Sequence, residues 1–135
     1  MSLRIYSDGG ARGNPGPSAF AIVVVQNGKI IFERAEFLGE RTNNYAEYRG
    51  LIAAITKAIE LKESDVEFIM DSELVIKQMN GEYKVKADNI KSLHNDAKAL
   101  SSMIKNTKFT HVRREDPNIS RADTLLNIEM DLNSQ

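Results

Sequence analysis

The chain has 135 residues, of which 41% are hydrophobic and 27% charged, a balance that suits one globular domain over residues 1–135 with a real core. A formal net charge of −1 argues against a generically basic nucleic-acid binder, so any such function must rest on local patches or on metal ions. No apolar run is long enough to cross a membrane, no export signal is visible, and the lack of cysteine excludes disulfides and thiolate metal sites and fits a cytoplasmic protein.

Leu3 to Ser7 reads as a strand that runs into Asp8. Residues 9 to 17 then hold four glycines and two prolines. Ala19 to Gln26 (AFAIVVVQ) and Lys29 to Leu38 (KIIFERAEFL) read as a hairpin, because the Asn27-Gly28 pair between them supplies the turn. Asn44 to Leu61 reads as a helix capped by Thr42 or Asn43, with Leu51, Ile52, Ile55, Ala58 and Ile59 at helical spacing. Asp65 to Met70 is a strand and Ser72 to Met79 a short helix. Ile90 to Ile104 is a helix, Lys108 to Arg113 a strand, and Ile119 to Leu132 the last helix. A meander followed by alternating helices and strands predicts an α/β mixed sheet covered by helices.

Four carboxylates fall in awkward places. Asp8 and Asp71 each end a strand, and if those strands are parallel neighbours the two lie side by side at their carboxyl ends. A helix cap at Asp71 and a turn at Asp8 are the plain alternatives. Glu47 heads the apolar stripe of its helix, with Leu51, Ile55, Ala58 and Ile59, and no basic residue precedes it by one turn. Burying such a charge unpaired is costly, although the first turn of a helix also favours an acid. Asp123 interrupts the line Ile119, Leu126, Met130 in the same way. One arrangement accounts for all four: they converge and hold hard divalent cations through oxygen. Two such ions about 3.5–4 Å apart can stabilise both the attacking and the leaving oxygen of a phosphoryl displacement.

The segments YSDGGARGNPGP, TNNYAEYRGLIAAI, MDSELVI and RADTLLN, in that order, resemble type 1 ribonuclease H over nearly the whole chain. The resemblance implies a ribonuclease H-like fold: a five-stranded mixed sheet flanked by α-helices. It implies an endonuclease that hydrolyses the RNA strand of RNA/DNA hybrids with Mg²⁺ or Mn²⁺, two ions with substrate, leaving 5′-phosphate and 3′-hydroxyl ends. Its metal-binding acids fall on Asp8, Glu47, Asp71 and Asp123. Its substrate contacts fall on Gly9, Gly10, Ala11, Arg12, Asn14, Asn43, Asn44, Ser72 and Glu73, with Arg113 and Arg114 in the loop before the last acid. Glycines 9, 10 and 13 would let the backbone approach the hybrid, and asparagine amides suit a groove lined with 2′-hydroxyls. The implied partner is a hybrid duplex, with double-stranded RNA the second candidate, bound by a monomer without a membrane.

The sequence departs from that pattern in three places. The loop VRREDPNISRAD carries no histidine where many bacterial members have one, leaving Arg113, Arg114 or Glu115 to take over its role, and the spacing of Asn118 from Asp123 suggests a longer loop. Glu73 stands where many relatives have glutamine. NGEYKVKADN bridges two helices where other members insert a basic handle, leaving Lys77, Lys84, Lys86 and Lys91 as a modest basic cluster. His94 and His111 read as structural or surface residues. An inactive duplex-binding module and a phosphotransferase on a related fold are the competing functions. Retention of all four acids counts against the first, and the lack of a GxxxxGK[ST] loop against the second.

Overall fold

The run AFAIVVV alternates nothing because both of its sides are covered, and that sets the layering. The computed structural model describes residues 3–133. Its strands are β1 (Leu3–Ala11), β2 (Gly16–Gln26), β3 (Lys29–Arg41), β4 (Asp65–Met70) and β5 (Asn106–His111); its helices are α1 (Asn43–Glu60), α2 (Glu73–Met79), α3 (Asp88–Ser101) and α4 (Pro117–Leu132). The five strands form one sheet in the order β3-β2-β1-β4-β5. β1, β2 and β3 pair antiparallel, whereas β4 lies parallel to both β1 and β5.

Each side of the sheet carries its own core. Leu3 and Ile5 of β1 and Phe20, Ile22 and Val24 of β2 meet Leu51, Ile55 and Ala58 of α1, with α2 and α3 beside them. The alternate residues, Tyr6, Ala19, Ala21, Val23 and Val25, meet Ile119, Ala122, Leu126 and Met130 of α4. Each fully buried aliphatic side chain in these layers stabilises the fold by about 1.5–3 kcal/mol. Asn27 and Gly28 both have positive φ, 54° and 75°, the twist a two-residue hairpin turn requires.

The helix starts follow from side-chain caps. Thr42 Oγ1 accepts from Tyr45 N at 3.2 Å, so α1 begins one residue earlier than expected, at Asn43. Ser72 caps α2 by accepting from Val75 N. Asp116 Oδ1 accepts from Asn118 N at 2.9 Å and Ile119 N at 3.2 Å, with Pro117 in the first turn. The Asp-Pro start therefore sets α4 two residues before Ile119, and Asn118 belongs to its first turn. The loop before it is consequently short, not long.

Three further boundaries are corrected. β1 does not end at Asp8 but continues to Ala11, because Asp8, Gly9, Gly10 and Ala11 pair with Ala21, Phe20, Ala19 and Ser18. β5 runs from Asn106 to His111, which leaves Arg113 outside it. α3 spans Asp88 to Ser101 and stops short of Ile104.

Gly9 has a structural reason of its own. A Cβ there would lie 2.4 Å from the backbone carbon and oxygen of Ala46 and 2.6 Å from Glu47 N. Helix α1 thus rests on bare β1 backbone beside Asp8, and backbone cannot move aside as a flexible side chain can. Gly9 therefore serves this helix–strand contact, whatever else its backbone meets. Gly9→Ala is expected to destabilise the protein by about 3 kcal/mol, at the upper end of overpacking effects, measurable by chemical denaturation.

Candidate active site

Parallel pairing of β1 and β4 ends with Tyr6 opposite Ile69. Two residues further along each chain stand Asp8 and Asp71, so the register sets the two aspartates level. Glu47 reaches the same place from the first turns of α1, carried in by the close approach at Gly9. Asp123 comes from α4 on the other side of the sheet. All four line one cleft of about 470 Å³.

Their surroundings differ. Asp8 is only 8% exposed, and its Oδ1 accepts a hydrogen bond from Gly9 N at 3.0 Å. Burial first, then the neighbouring Asp71 and Asp123, push its carboxyl up to about 8; Glu47 adds to the rise and the Gly9 N–H opposes it. Burial and then Asp71 push Glu47 up to about 7, partly offset by a hydrogen bond from Ser72. Asp71 is half-buried, whereas Asp123 is exposed at the rim. The apolar line around Asp123 is real, but this acid faces the mouth of the cleft and is not sealed beneath the helix.

A divalent cation fits this chemistry. The donors are all oxygen, and burial together with their crowding raises two of their pKa values, a cost that a bound cation would relieve. Among the described residues no three His, Cys, Asp or Glu side chains stand close enough to enclose an ion by themselves. The carboxylates form an open acidic wall, not a closed cage. Mg²⁺ keeps much of its water and takes only one or two carboxylates, so such a wall is the better match.

Of the expected substrate contacts, Gly9, Gly10, Ala11, Arg12, Asn43 and Arg114 line the same cleft. Several carry structural work as well. Asn43 Oδ1 accepts from Ala11 N at 3.2 Å, and Asn14 Oδ1 accepts from Asn43 N at 2.9 Å, which ties the glycine-rich loop to the start of α1. Asn44 does not enter the cleft. It lines a separate groove of about 250 Å³ with Gln78, Lys84 and Lys86. Ser72 caps α2 beside Glu47. Glu73 is exposed and pairs with Lys77 at 3.5 Å, and Arg113 is exposed away from the cleft walls. Arg114 is therefore the loop residue that reaches the acids' cleft.

His94 and His111 stay out of it. His94 Nδ1 lies 3.2 Å from Tyr48 Oη, which also donates to Gln78 Oε1 at 2.6 Å, so this imidazole belongs to a network between helices. Burial, then the nearby Lys98, lowers its pKa. The cleft also has walls that sequence reasoning missed, Ser120, Thr124 and Asn127 of α4. Extending the helical face of Asp123 by three and four residues in each direction finds Ser120 and Asn127, while Thr124 is simply its chain neighbour.

The family model described as reverse transcriptase-like matches residues 6–127. A bifunctional protein of Mycobacterium tuberculosis is 39% identical over 137 aligned residues, covering 100% of this chain and 37% of that protein. Ribonuclease HI of Halobacterium salinarum is 38% identical over 130 residues, covering 96% of this chain and 64% of that protein. The chain thus spans well under two thirds of the mycobacterial relative and just under two thirds of the halobacterial one. Among solved structures, the N-terminal ribonuclease H domain of the mycobacterial protein superposes with a TM-score of 0.92 at 38% identity, covering 100% of this chain and 97% of that one. LC11-RNase H1 in complex with an RNA/DNA hybrid gives 0.92 at 37% identity, covering 99% and 100%.

Proposed function

This chain belongs to the reverse transcriptase-like family, with ribonucleases HI among its relatives, and from that premise we propose that it is a metal-dependent endonuclease that hydrolyses the RNA strand of RNA/DNA hybrids. The observation that carries the proposal is the meeting of Asp8, Glu47, Asp71 and Asp123, from four separate elements, in one cleft. All four belong to one chain, which supports a monomer as the working unit. Among the described residues no helix is long and apolar enough to cross a membrane. The absence of cysteine suits action in the cytoplasm.

Asp8, Glu47, Asp71 and Asp123 would hold Mg²⁺ or Mn²⁺. When bound, the ions supply Lewis-acid charge to a water and to the phosphate oxygens, charge that the acidic protein itself lacks. The protein's share is placement. Asp8 is fixed by strand pairing on one side and by the Gly9 N–H. Glu47 is held by its helix and by Ser72. Water attacks phosphorus, the bond to the 3′-oxygen breaks, and the products carry a 5′-phosphate and a 3′-hydroxyl. Asn43 and the Gly10–Ala11 backbone lie along the cleft wall, where amide and peptide groups can meet 2′-hydroxyls and so tell RNA from DNA.

Incubation with labelled hybrid, double-stranded RNA, double-stranded DNA and ATP, each with and without Mg²⁺, tests the proposal. Metal-dependent cutting of the hybrid's RNA strand is expected. ATP hydrolysis alone would indicate a phosphotransferase, and binding without cleavage an inactive duplex-binding module. Cutting of double-stranded RNA in the same assay would extend the substrate range.

Lys84 and Lys86 edge the groove that Asn44 lines. We assign them to phosphate contact outside the cleft. Lys86→Ala is then expected to weaken hybrid binding at low salt and to lower the slope of log K against log salt by about one. An unchanged slope in a salt titration would remove Lys86 from the interface.

A further inference from the structure

We propose that Asn127 is a positioning residue whose side-chain amide holds the Asp123 carboxylate ready for a cation, with Arg12 of the glycine-rich loop setting which way that amide faces. This rests on Asp123 being one of the cation-binding acids.

Asp123, Asn127 and Asp131 stand at successive i, i+4 positions on α4 and so form one line along the helix. Asn127 Nδ2 donates to Asp123 O at 2.9 Å and to Asp123 Oδ1 at 3.3 Å. At its other end, Asn127 Oδ1 accepts from Arg12 Nη2 at 3.1 Å, and the same nitrogen reaches Asn127 O at 3.3 Å. Arg12 Nη1 lies 2.7 Å from Asp131 Oδ1, which anchors the guanidinium over this line. The loop that presents Arg12 is closed by its own backbone bond from Arg12 N to Pro17 O at 2.8 Å.

The chemistry of the three groups leaves the amide one orientation. A guanidinium only donates and an ionised carboxylate only accepts. With oxygen toward Arg12 and nitrogen toward Asp123, both ends of Asn127 are matched. Turned over, the amide would set donor against donor and acceptor against acceptor. Arg12 therefore fixes the donor end on Asp123.

Asp123 needs such a hold more than its partners do. Asp8 is buried and held by strand pairing, whereas Asp123 is exposed on a helix surface, where a carboxylate is free to change rotamer. The Asn127 donor engages Oδ1 and leaves Oδ2 for the cation. Groups that hydrogen-bond a metal-ligating side chain commonly alter metal affinity or activity by about tenfold or more.

The test is a Mn²⁺ titration of the full chain by calorimetry, alongside kcat and KM on hybrid at fixed Mg²⁺. Asn127→Ala is expected to weaken Mn²⁺ binding about tenfold and to lower kcat with KM little changed. Thermal midpoints should stay within about 2 °C, since the residue lies near the surface. Asn127→Gln, whose amide can still pair with an aspartate one turn away, should restore most of the loss. Arg12→Ala should weaken Mn²⁺ binding by less than Asn127→Ala. Wild-type Mn²⁺ affinity in Asn127→Ala, or no recovery in Asn127→Gln, overturns the proposal. If the wild type cuts no hybrid, the nuclease assignment fails while the titration still reads the Asn127–Asp123 link. A wild type that binds no Mn²⁺ overturns both.

Discussion

Asp71→Asn is expected to lower hybrid cleavage at least about 10³-fold, roughly 4 kcal/mol in the activation barrier, while the protein stays folded. Asparagine keeps the shape of the side chain and removes only its charge. That charge counts twice over. Asp71 sits level with Asp8 across the β1–β4 register, and it raises the pKa of both Asp8 and Glu47. Losing it removes a cation ligand and also the repulsion that makes the metal-free cleft costly. The variant should therefore melt no lower than the wild type in chelator, and higher if the repulsion is large. Single-turnover cleavage and circular dichroism on the same sample separate the two effects. More than a tenth of wild-type activity in the variant would remove Asp71 from the catalytic set.

Much of the site was legible because charge in an apolar pattern is conspicuous. Glu47 heads a line of Leu51, Ile55 and Ala58 that proves to be buried against the sheet, and no periodic core explains an acid there. The hairpin at Asn27-Gly28 was legible because few residues tolerate positive φ. What stayed hidden depends on tertiary contact. Glycines discourage strands in isolation, so β1 was expected to stop at Asp8, yet pairing with β2 carries it through Gly9 and Gly10. The reason for Gly9 is a helix lying on it, invisible until α1 and β1 are side by side. Asp116-Pro117 is a readable helix start, but the apolar line of this helix begins only at Ile119 and so marks a later boundary than the cap does. Asn127 carries no charge to mark it, and its role needs Arg12, which is remote in sequence.

Asp8→Asn is expected to change how stability varies with pH. In the metal-free protein Asp8 titrates near 8, against an ordinary value of 3.8. The folded state thus holds this proton more tightly than the unfolded chain does. The contribution of Asp8 to stability is complete below about pH 4, shrinks as pH rises through the interval, and is gone above about pH 8. Glu47, pushed from 4.5 to about 7, adds a loss of the same sign over a narrower window. Asparagine mimics the protonated aspartate and has no proton to lose. At pH 4 the two proteins should therefore be about equally stable. At pH 8.5 in chelator the variant should be more stable by on the order of 5 kcal/mol, roughly 18 °C in thermal midpoint. Added Mg²⁺ should narrow that gap, because a cation bound only by the folded wild type stabilises it by mass action. Melting curves for both proteins at pH 4, 6 and 8.5, with chelator and with Mg²⁺, provide the measurement. A gap that stays constant across pH would mean that Asp8 ionises in the fold as it does in water, and that the acids do not repel one another in the cleft.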